Sequence, residues 1–308
     1  MNKANLIFMG TPEFAVPVLE MLIKNTNVMM VVTQPDKEVG RHHELTPSPI
    51  KKVALEHHIP VFQPTKIRMD HAQLMTLKPD LIITCAYGQI IPPDLLQLPR
   101  LGCINVHASL LPKLRGGAPL HHAIIDGYNE TGITIMYMDE SMDTGDIITS
   151  AKMPITSHTK LGDVHDTLSI MGANLLESTL PSILAGTNPR IHQNNSEATY
   201  AYNIKREEEH LDFTKDVLTI DRLVRGLNPY PTANILINKS EYKILSGHYE
   251  KRPSIIKKIY VTKDILGIGC QDGIYYIDEI KPNGKKVMPI KSFLNGIKPE
   301  IFQEYEVE

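Results

Sequence analysis

The stretch GCINVHASLLPKLRGGAP, Gly102 to Pro119, decides how the chain is read. Cys103, Ile104 and Val106 suit a buried strand, yet Asn105 and His107 put an amide and an imidazole into it. Beyond them, Pro112, Lys113, Arg115 and the Gly116-Gly117 pair are expected to be irregular. Alternation along a strand sends Asn105 and His107 to the same side, two residues' rise apart. An amide donor beside an imidazole suits a site where a carbonyl oxygen gains negative charge. The plainer alternative is a hydrogen-bonded strand end with incidental polar residues.

Working upstream, short apolar runs alternate with helix-like stretches. Leu6 to Met9, Val28 to Thr33, Leu81 to Ala86 and Ile104 to Val106 read as buried strands. Glu13 to Lys24, Pro49 to His58 and a weaker piece at His71 to Leu77 read as helices between them. This alternation predicts an α/β fold with a mostly parallel sheet covered on both faces, which binds ligands at the carboxyl ends of its strands. Asn105 and His107 stand at such an end. Downstream, Gly132 to Met138 and Ile147 to Ile155 read as further strands around the acidic loop DESMDTGD, and Leu161 to Leu184 as a long helix. Asp139, Glu140, Asp143 and Asp146 leave another strand's end there, so one of these carboxylates can meet the imidazole and form an acid–base unit.

The polar, turn-rich NPRIHQNNSE (188–197) reads as an interdomain connection. We expect a domain over 1–189, a linker over 190–206 and a second domain over 207–308. After a helix at Thr219 to Leu227, β-rich runs follow at Asn234 to Ile237, Tyr242 to Leu245, Ile255 to Val261, Ile265 to Cys270 and Ile274 to Ile280. Gly, Asn and Lys turns separate them, predicting a small β-barrel. The stretch 239–291 carries 11 basic residues against 6 acidic ones, including Lys257-Lys258 and Lys285-Lys286. Such a stripe is either a polyanion-binding face or a solvated surface.

Several chemistries are excluded. Only Gly10 of a dinucleotide-binding G-x-G-x-x-G is present in FMGTPEFA, and Glu13 would oppose a phosphate. Thr11 followed by Pro12 reads instead as a capped helix start. The pairs His42-His43, His57-His58 and His121-His122 lack partners at metal-ligand spacing, so no metal is expected. Cys85, Cys103 and Cys270 are scattered, which fits a reducing cytoplasm and excludes a disulfide framework. No run of 18 apolar residues is present across the 308 residues, so no membrane span is expected, and the N-terminus lacks a signal peptide's apolar core. No Ser or Cys occupies a nucleophile elbow, which leaves direct transfer from a bound carbonyl donor to a substrate nucleophile.

The motifs FMGTPEFAVPVL (8–19), VVTQPD (31–36), AYGQIIP (86–92), GCINVHASLLP (102–112), RGGAP (115–119), MDTGD (142–146), ATYAYNIKREE (198–208) and LVRGLNPYP (223–231) together resemble the methionyl-tRNA formyltransferase family. Their order and spacing cover essentially the whole chain. The resemblance implies a Rossmann-like formyltransferase domain followed by an oligonucleotide-binding-like barrel. It also implies transfer of the formyl group of 10-formyltetrahydrofolate to the α-amino group of initiator methionyl-tRNA, by a cytoplasmic monomer without a metal. The family's catalytic Asn, His and Asp fall on Asn105, His107 and Asp143. Folate contacts fall on Ser109, Leu110, Leu111 and Pro112 and on Ala86, Tyr87, Gly88, Gln89 and Ile90; tRNA contacts fall on Arg41, Lys205 and Arg206. The chain departs from the family in the loop KEVGRHHEL, where His42, His43 and Glu44 dilute a basic insertion, and at Leu114, Ser141 and Tyr230. A folate-dependent formyltransferase acting on a small amine, such as a glycinamide nucleotide or an amino sugar, would share the same three catalytic residues. An RNA-binding protein with a degenerate enzyme domain would need only the barrel.

Overall fold

The structure, a computed structural model, describes residues 3–40, 43–237 and 239–296. Two compact units divide it. One takes the chain through Pro119, with Glu130–Pro154 and His165–Tyr202; the other takes Leu120–Asn129, Ile155–Val164 and the chain from Asn203 onward.

The first unit opens with β1 (Asn5–Gly10), α1 (Val16–Asn25) and β2 (Asn27–Val32). A short hairpin, β3 (Lys37–Val39) with β4 (Glu44–Thr46), leads to α2 (Pro49–Glu56) and β5 (Val61–Phe62). Next come α3 (Ala72–Met75), β6 (Leu81–Cys85), α4 (Pro93–Leu96) and β7 (Cys103–His107). α5 (Pro119–Ile125), which from Leu120 onward belongs to the second unit, precedes β8 (Glu130–Tyr137), β9 (Ile147–Pro154) and α6 (Leu161–Ala185), which joins the first unit at His165. The seven-stranded sheet runs β5-β2-β1-β6-β7-β8-β9. Pairings are parallel from β5 to β7 and antiparallel from β7 to β9.

Every residue of β6 is buried, as a strand covered on both faces requires. On one face Ile7, Met9, Met30, Val32, Ile82 and Cys103 pack with Leu74 of α3 and Leu95 of α4. On the other, a Cβ at Gly172 of α6 would stand 3.0 Å from Val106 and 3.6 Å from Ile133, so this glycine lets α6 lie close to β7 and β8. Asn105 and His107 therefore share the face of Cys103, away from α6, where the helical cover ends.

The expected strands and helices of this unit all form. One local reading is corrected: Thr11 does not cap a helix. Its hydroxyl donates to the Tyr87 carbonyl (3.2 Å) and accepts from Gln34 N–H (3.4 Å), while a 3₁₀ turn over Glu13–Ala15 precedes α1. Tertiary partners at the ends of β2 and β6 outcompete the local cap.

The second unit contains α7 (Val217–Gly226), capped by the Asp216 carboxylate on Leu218 N–H and Thr219 N–H, both at 3.0 Å. Then follow β10 (Ala233–Ile237), β11 (Ser240–Glu250), β12 (Ile259–Val261), β13 (Leu266–Gly269), β14 (Ile274–Pro282), β15 (Met288–Pro289) and α8 (Ile290–Leu294). The antiparallel order is β10-β11-β14-β13-β12, with β15 added on β14. Among the described residues no pairing joins β10 to β12, so the barrel is a curled half-barrel. A register shift between Ile244 and Gly247 in β11 marks the bend, as a bulge increases local twist. The concave core gathers Leu211, Phe213, Val224, Ile235, Tyr275 and Phe293.

The close β8–β9 pairing is testable. A Cβ on Gly132 would run into the Ala151 carbonyl oxygen and stand 2.7 Å from Leu110. Gly132→Ala should cost about 1–3 kcal/mol, the usual cost of overpacking, read as a lower denaturation midpoint. An unchanged midpoint would show that β9 yields without cost.

Candidate active site

Asn105 and His107 end β7, and their neighbours across the sheet tie them down. Thr84 stands opposite Asn105 on β6 and is itself buried; its hydroxyl donates to Asn105 Oδ1 at 2.8 Å. That contact pins one end of the amide against β6 and leaves the other end to act. On β8, Thr134 stands opposite His107, and its hydroxyl donates to the Ser109 carbonyl (2.7 Å) while accepting from Leu111 N–H (3.2 Å). The chain leaving His107 is thus anchored before its irregular part begins.

His107 is 5% exposed. Its Nε2 lies 3.1 Å from the Leu114 carbonyl, which can only accept, so Nε2 carries a hydrogen. Nδ1 faces Asp143 Oδ2 at 3.7 Å, an ion-pair distance beyond hydrogen-bond range. Nδ1 is therefore oriented by the carboxylate without being locked to it. The same Asp143 Oδ2 accepts from Gly116 N–H at 2.8 Å. Asp143 sits at φ 54°, a left-handed conformation that aspartate tolerates at a tight turn.

Of the four acidic residues in this loop, only Asp143 meets the imidazole. Asp139 accepts from Thr144 and from Ser141 N–H. Asp146 is held by Arg190 (2.8 Å) and His192 (3.1 Å), and the Arg190 hydrogen bond, ahead of that from His192, keeps its pKa below the usual carboxylate range. Glu140 is exposed and lies outside every ion pair among the described residues.

Beneath the site lies Arg115, 1% exposed. Its guanidinium donates to Gln193 Oε1 from Nε (3.2 Å) and Nη2 (2.7 Å), and to Asn195 Oδ1 (2.8 Å). Gln193 in turn donates to the carbonyls of Asp143 (2.9 Å) and Gly145 (2.7 Å). The Arg115 backbone joins the 199–201 segment, donating to the Thr199 carbonyl (2.9 Å) and accepting from Ala201 N–H (2.7 Å). A Cβ on Gly116, at φ 119°, would stand 2.7 Å from the Ala201 carbonyl oxygen, so only glycine fits there. Sequence reasoning singled out neither Thr84, Gln193 nor Thr134. Each is an ordinary polar residue whose partner lies far along the chain.

The 86–90 turn closes the neighbouring strand, β6. Ala86 (φ 48°), Gly88 (φ 83°) and Ile90 are exposed, while Tyr87 is buried and Gln89 half-buried. The Tyr87 carbonyl accepts from Thr11 and from Gln34 (3.1 Å); Gln89 accepts from Ile67 N–H (2.8 Å) and donates to Gln34 (3.2 Å). Odd and even positions therefore divide into inward supports and an outward edge. In the 109–112 segment Ser109 is fully buried and its hydroxyl donates to the Lys113 carbonyl (2.6 Å), which shapes the loop; Leu110 and Pro112 are half-buried and Leu111 is buried.

Other candidates separate from this cluster. Burial pushes the Cys85 and Cys103 thiols up to about 12, which removes them as nucleophiles. Among the described residues no group of three His, Cys, Asp or Glu side chains could hold a metal ion, and no helix is long and apolar enough to cross a membrane. Arg41 lies outside the described residues. In the second unit Lys205 is exposed, whereas Arg206 is paired with both Glu209 and Glu241.

The chain is similar to known formyl transferases in sequence and in fold. A formyl transferase family matches residues 1–180, and a formyl transferase C-terminal domain matches residues 203–298. The methionyl-tRNA formyltransferase of Geobacillus sp. (strain WCH70) is 48% identical over 299 residues, 94% of each chain. That of Bacillus pumilus (strain SAFR-032) is 47% identical, covering 98% of this chain and 97% of its own. In fold, the chain resembles an N-formyltransferase from Helicobacter canadensis in complex with folinic acid and dTDP-3-aminofucose. The TM-score is 0.69 at 22% identity, covering 90% of this chain and 98% of that one.

The scaffold under Asp143 carries its own test. Gln193→Leu removes the guanidinium's main acceptor and the two donor bonds to the acidic loop. It should cost about 1.5–3 kcal/mol for each hydrogen bond lost to the charged group, read as a lower denaturation midpoint. A midpoint unchanged from wild type would mean that Arg115 finds other acceptors.

Proposed function

The chain belongs to the methionyl-tRNA formyltransferase family, and from that premise we propose that Asn105, His107 and Asp143 carry its chemistry. The enzyme transfers a formyl group to the α-amino group of methionine on initiator methionyl-tRNA, in translation initiation, with a folate as co-substrate. The observation that carries the residue assignment is the meeting of an amide, an imidazole and a carboxylate at the end of β7, while Asp139 and Asp146 of the same loop are held by other partners.

The folate form we propose is 10-formyltetrahydrofolate, which supplies an electrophilic formyl carbon. The 86–90 turn fits such a ligand. Ala86 and Gly88 are small and exposed, so a flat ring can lie against the backbone, and Ile90, 63% exposed, offers an apolar contact. Tyr87 and Gln89 hold the turn from behind; Ser109 and Leu111 shape the opposite edge, with Leu110 and Pro112 toward the ligand.

The chain's own groups then divide the work. Asn105 Nδ2 meets the carbonyl oxygen as it gains negative charge. His107, tethered through Nε2, exchanges a proton with the reacting centre at Nδ1, and in its protonated form adds positive charge beside the same oxygen. Asp143 sets the ring's orientation and assists that exchange, while Gly116 N–H sets Asp143. The methionyl amine attacks in its neutral form, and no covalent enzyme intermediate is required.

For tRNA, Lys205 and the loop containing Arg41 are the proposed contacts, with Lys258, Lys285 and Lys286 of the half-barrel. These last three are exposed and form no ion pair among the described residues, which suits them to neutralise phosphates. Arg206, held by two glutamates, would act by fixing the segment beside Lys205. A monomer acting in the cytoplasm completes the proposal. The rival small-amine reading uses the same triad, but relatives 47–48% identical along nearly the whole chain favour tRNA.

Formylation of initiator methionyl-tRNA, elongator methionyl-tRNA and small amines by the purified protein tests the reading. Strong preference for the initiator is expected; equal or better use of an amino sugar would reverse it. Asn105→Ala and His107→Ala should each lower turnover by roughly 10²–10³-fold, with folate affinity changing far less. Near-normal turnover in a folded variant removes that residue from the mechanism. Asp143→Asn should lose or displace the limb of the pH–rate profile that reports the imidazole. A larger effect from Asp139→Asn would refute the choice of carboxylate.

A further inference from the structure

Beside the loop that holds Asp143 runs the segment 199–202. It is bonded to that loop at Arg115 and again where Ala118 N–H donates to the Ala201 carbonyl at 3.1 Å. Extended geometry alternates its side chains. Ala201 is fully buried against Gly116, and Tyr200 and Tyr202 point the other way, 48% and 63% exposed. Their rings are stacked, with centroids 6.0 Å apart and planes within 9°. Two large aromatic side chains are thus held parallel in solvent on a backbone fixed to the catalytic loop.

We infer that Tyr200 and Tyr202 form a stacking platform for the terminal nucleobase of the aminoacylated RNA. This inference rests on the methionyl-tRNA reading and deepens it. In an aminoacyl-tRNA the amino acid is esterified to the ribose of the last nucleotide. When the α-amine stands at His107, the terminal base is only an ester and a ribose away, and the segment hydrogen-bonded to Arg115 and Ala118, on either side of the Gly116 that holds Asp143, carries the two exposed rings. Single-stranded ends are bound by splaying their bases onto aromatic faces, which needs no sequence readout. The methionine side chain fits this surface poorly, because a flexible thioether is held by an enclosed apolar pocket and not by open parallel rings. Met142, half exposed with its sulfur 3.4 Å from the Cβ position over Gly116, adds an apolar edge to the same surface.

The test uses the full chain and three acceptors: initiator methionyl-tRNA, the methionyl ester of adenosine, and methionine methyl ester, which has no base. Tyr200→Ala and Tyr202→Ala should raise KM for the first two by roughly 5- to 150-fold, the range of one base–aromatic stack. kcat should change little, and the methyl ester should keep its wild-type KM. Tyr202→Trp, which retains a π-face, should restore KM. Unchanged KM for the tRNA and the adenosine ester overturns the platform, as does an equal loss with the methyl ester. A wild-type enzyme that formylates neither methionyl-tRNA nor the adenosine ester overturns the functional reading itself, and the platform with it.

Discussion

A guanidinium removed from water must be given acceptors, and Arg115 finds them in the side chains of Gln193 and Asn195, far along the chain. The rest of the site follows from that constraint. Gln193 can serve Arg115 only from one position, and from there its amide reaches the carbonyls of Asp143 and Gly145. The acidic loop is therefore fixed by a neutral amide, leaving its carboxylate for Gly116 N–H and the imidazole. Had the buried cation been paired directly with Asp143, the carboxylate would have been consumed. Routing the contact through glutamine keeps it available.

The sheet supplies the other half of the arrangement. Parallel strands end together, so the carboxyl ends of β1, β2, β6 and β7 gather Thr11, Gln34, Tyr87, Asn105 and His107 along one edge. The edge is rigid because its polar groups satisfy one another. Thr11 and Gln34 bind the Tyr87 carbonyl, Gln89 binds Gln34, and Thr84 binds Asn105. A site with little conformational freedom left to lose is what electrostatic stabilisation of a developing charge needs. At β7 the sheet turns antiparallel, which sets Thr134 of β8 opposite His107 and lets it hold the departing chain.

In the half-barrel, α7 and α8 cover a concave apolar core while lysines populate the outside. Such a surface attracts polyanions without reading sequence. Lys251 and Lys291 are matched by Asp272 and Asp264, whereas Lys258, Lys285 and Lys286 form no ion pair among the described residues, so the basic stripe is less uniform than its composition implies.

Periodicity alone determined the α/β order, the parallel core of the sheet and the β-rich second part, because apolar runs such as Leu6–Met9 and Leu81–Cys85 can be buried in no other way. It also placed Asn105 and His107 on one side of a strand end. The short elements escaped it: the β3–β4 hairpin, β5, α4, α5, β15 and α8 bury too few residues to leave a period. Thr11 was misread as a cap because its stronger partners, at Gln34 and Tyr87, come only with the assembled sheet. Which acidic residue faces His107 could not be read from four carboxylates within eight positions. Tertiary structure decided it, since Arg190 and His192 claim Asp146 and local turns claim Asp139. The same holds for the tautomer of His107 and the partner of Asn105. A side chain's direction depends on the acceptors around it, and those arrive from segments that sequence distance keeps apart.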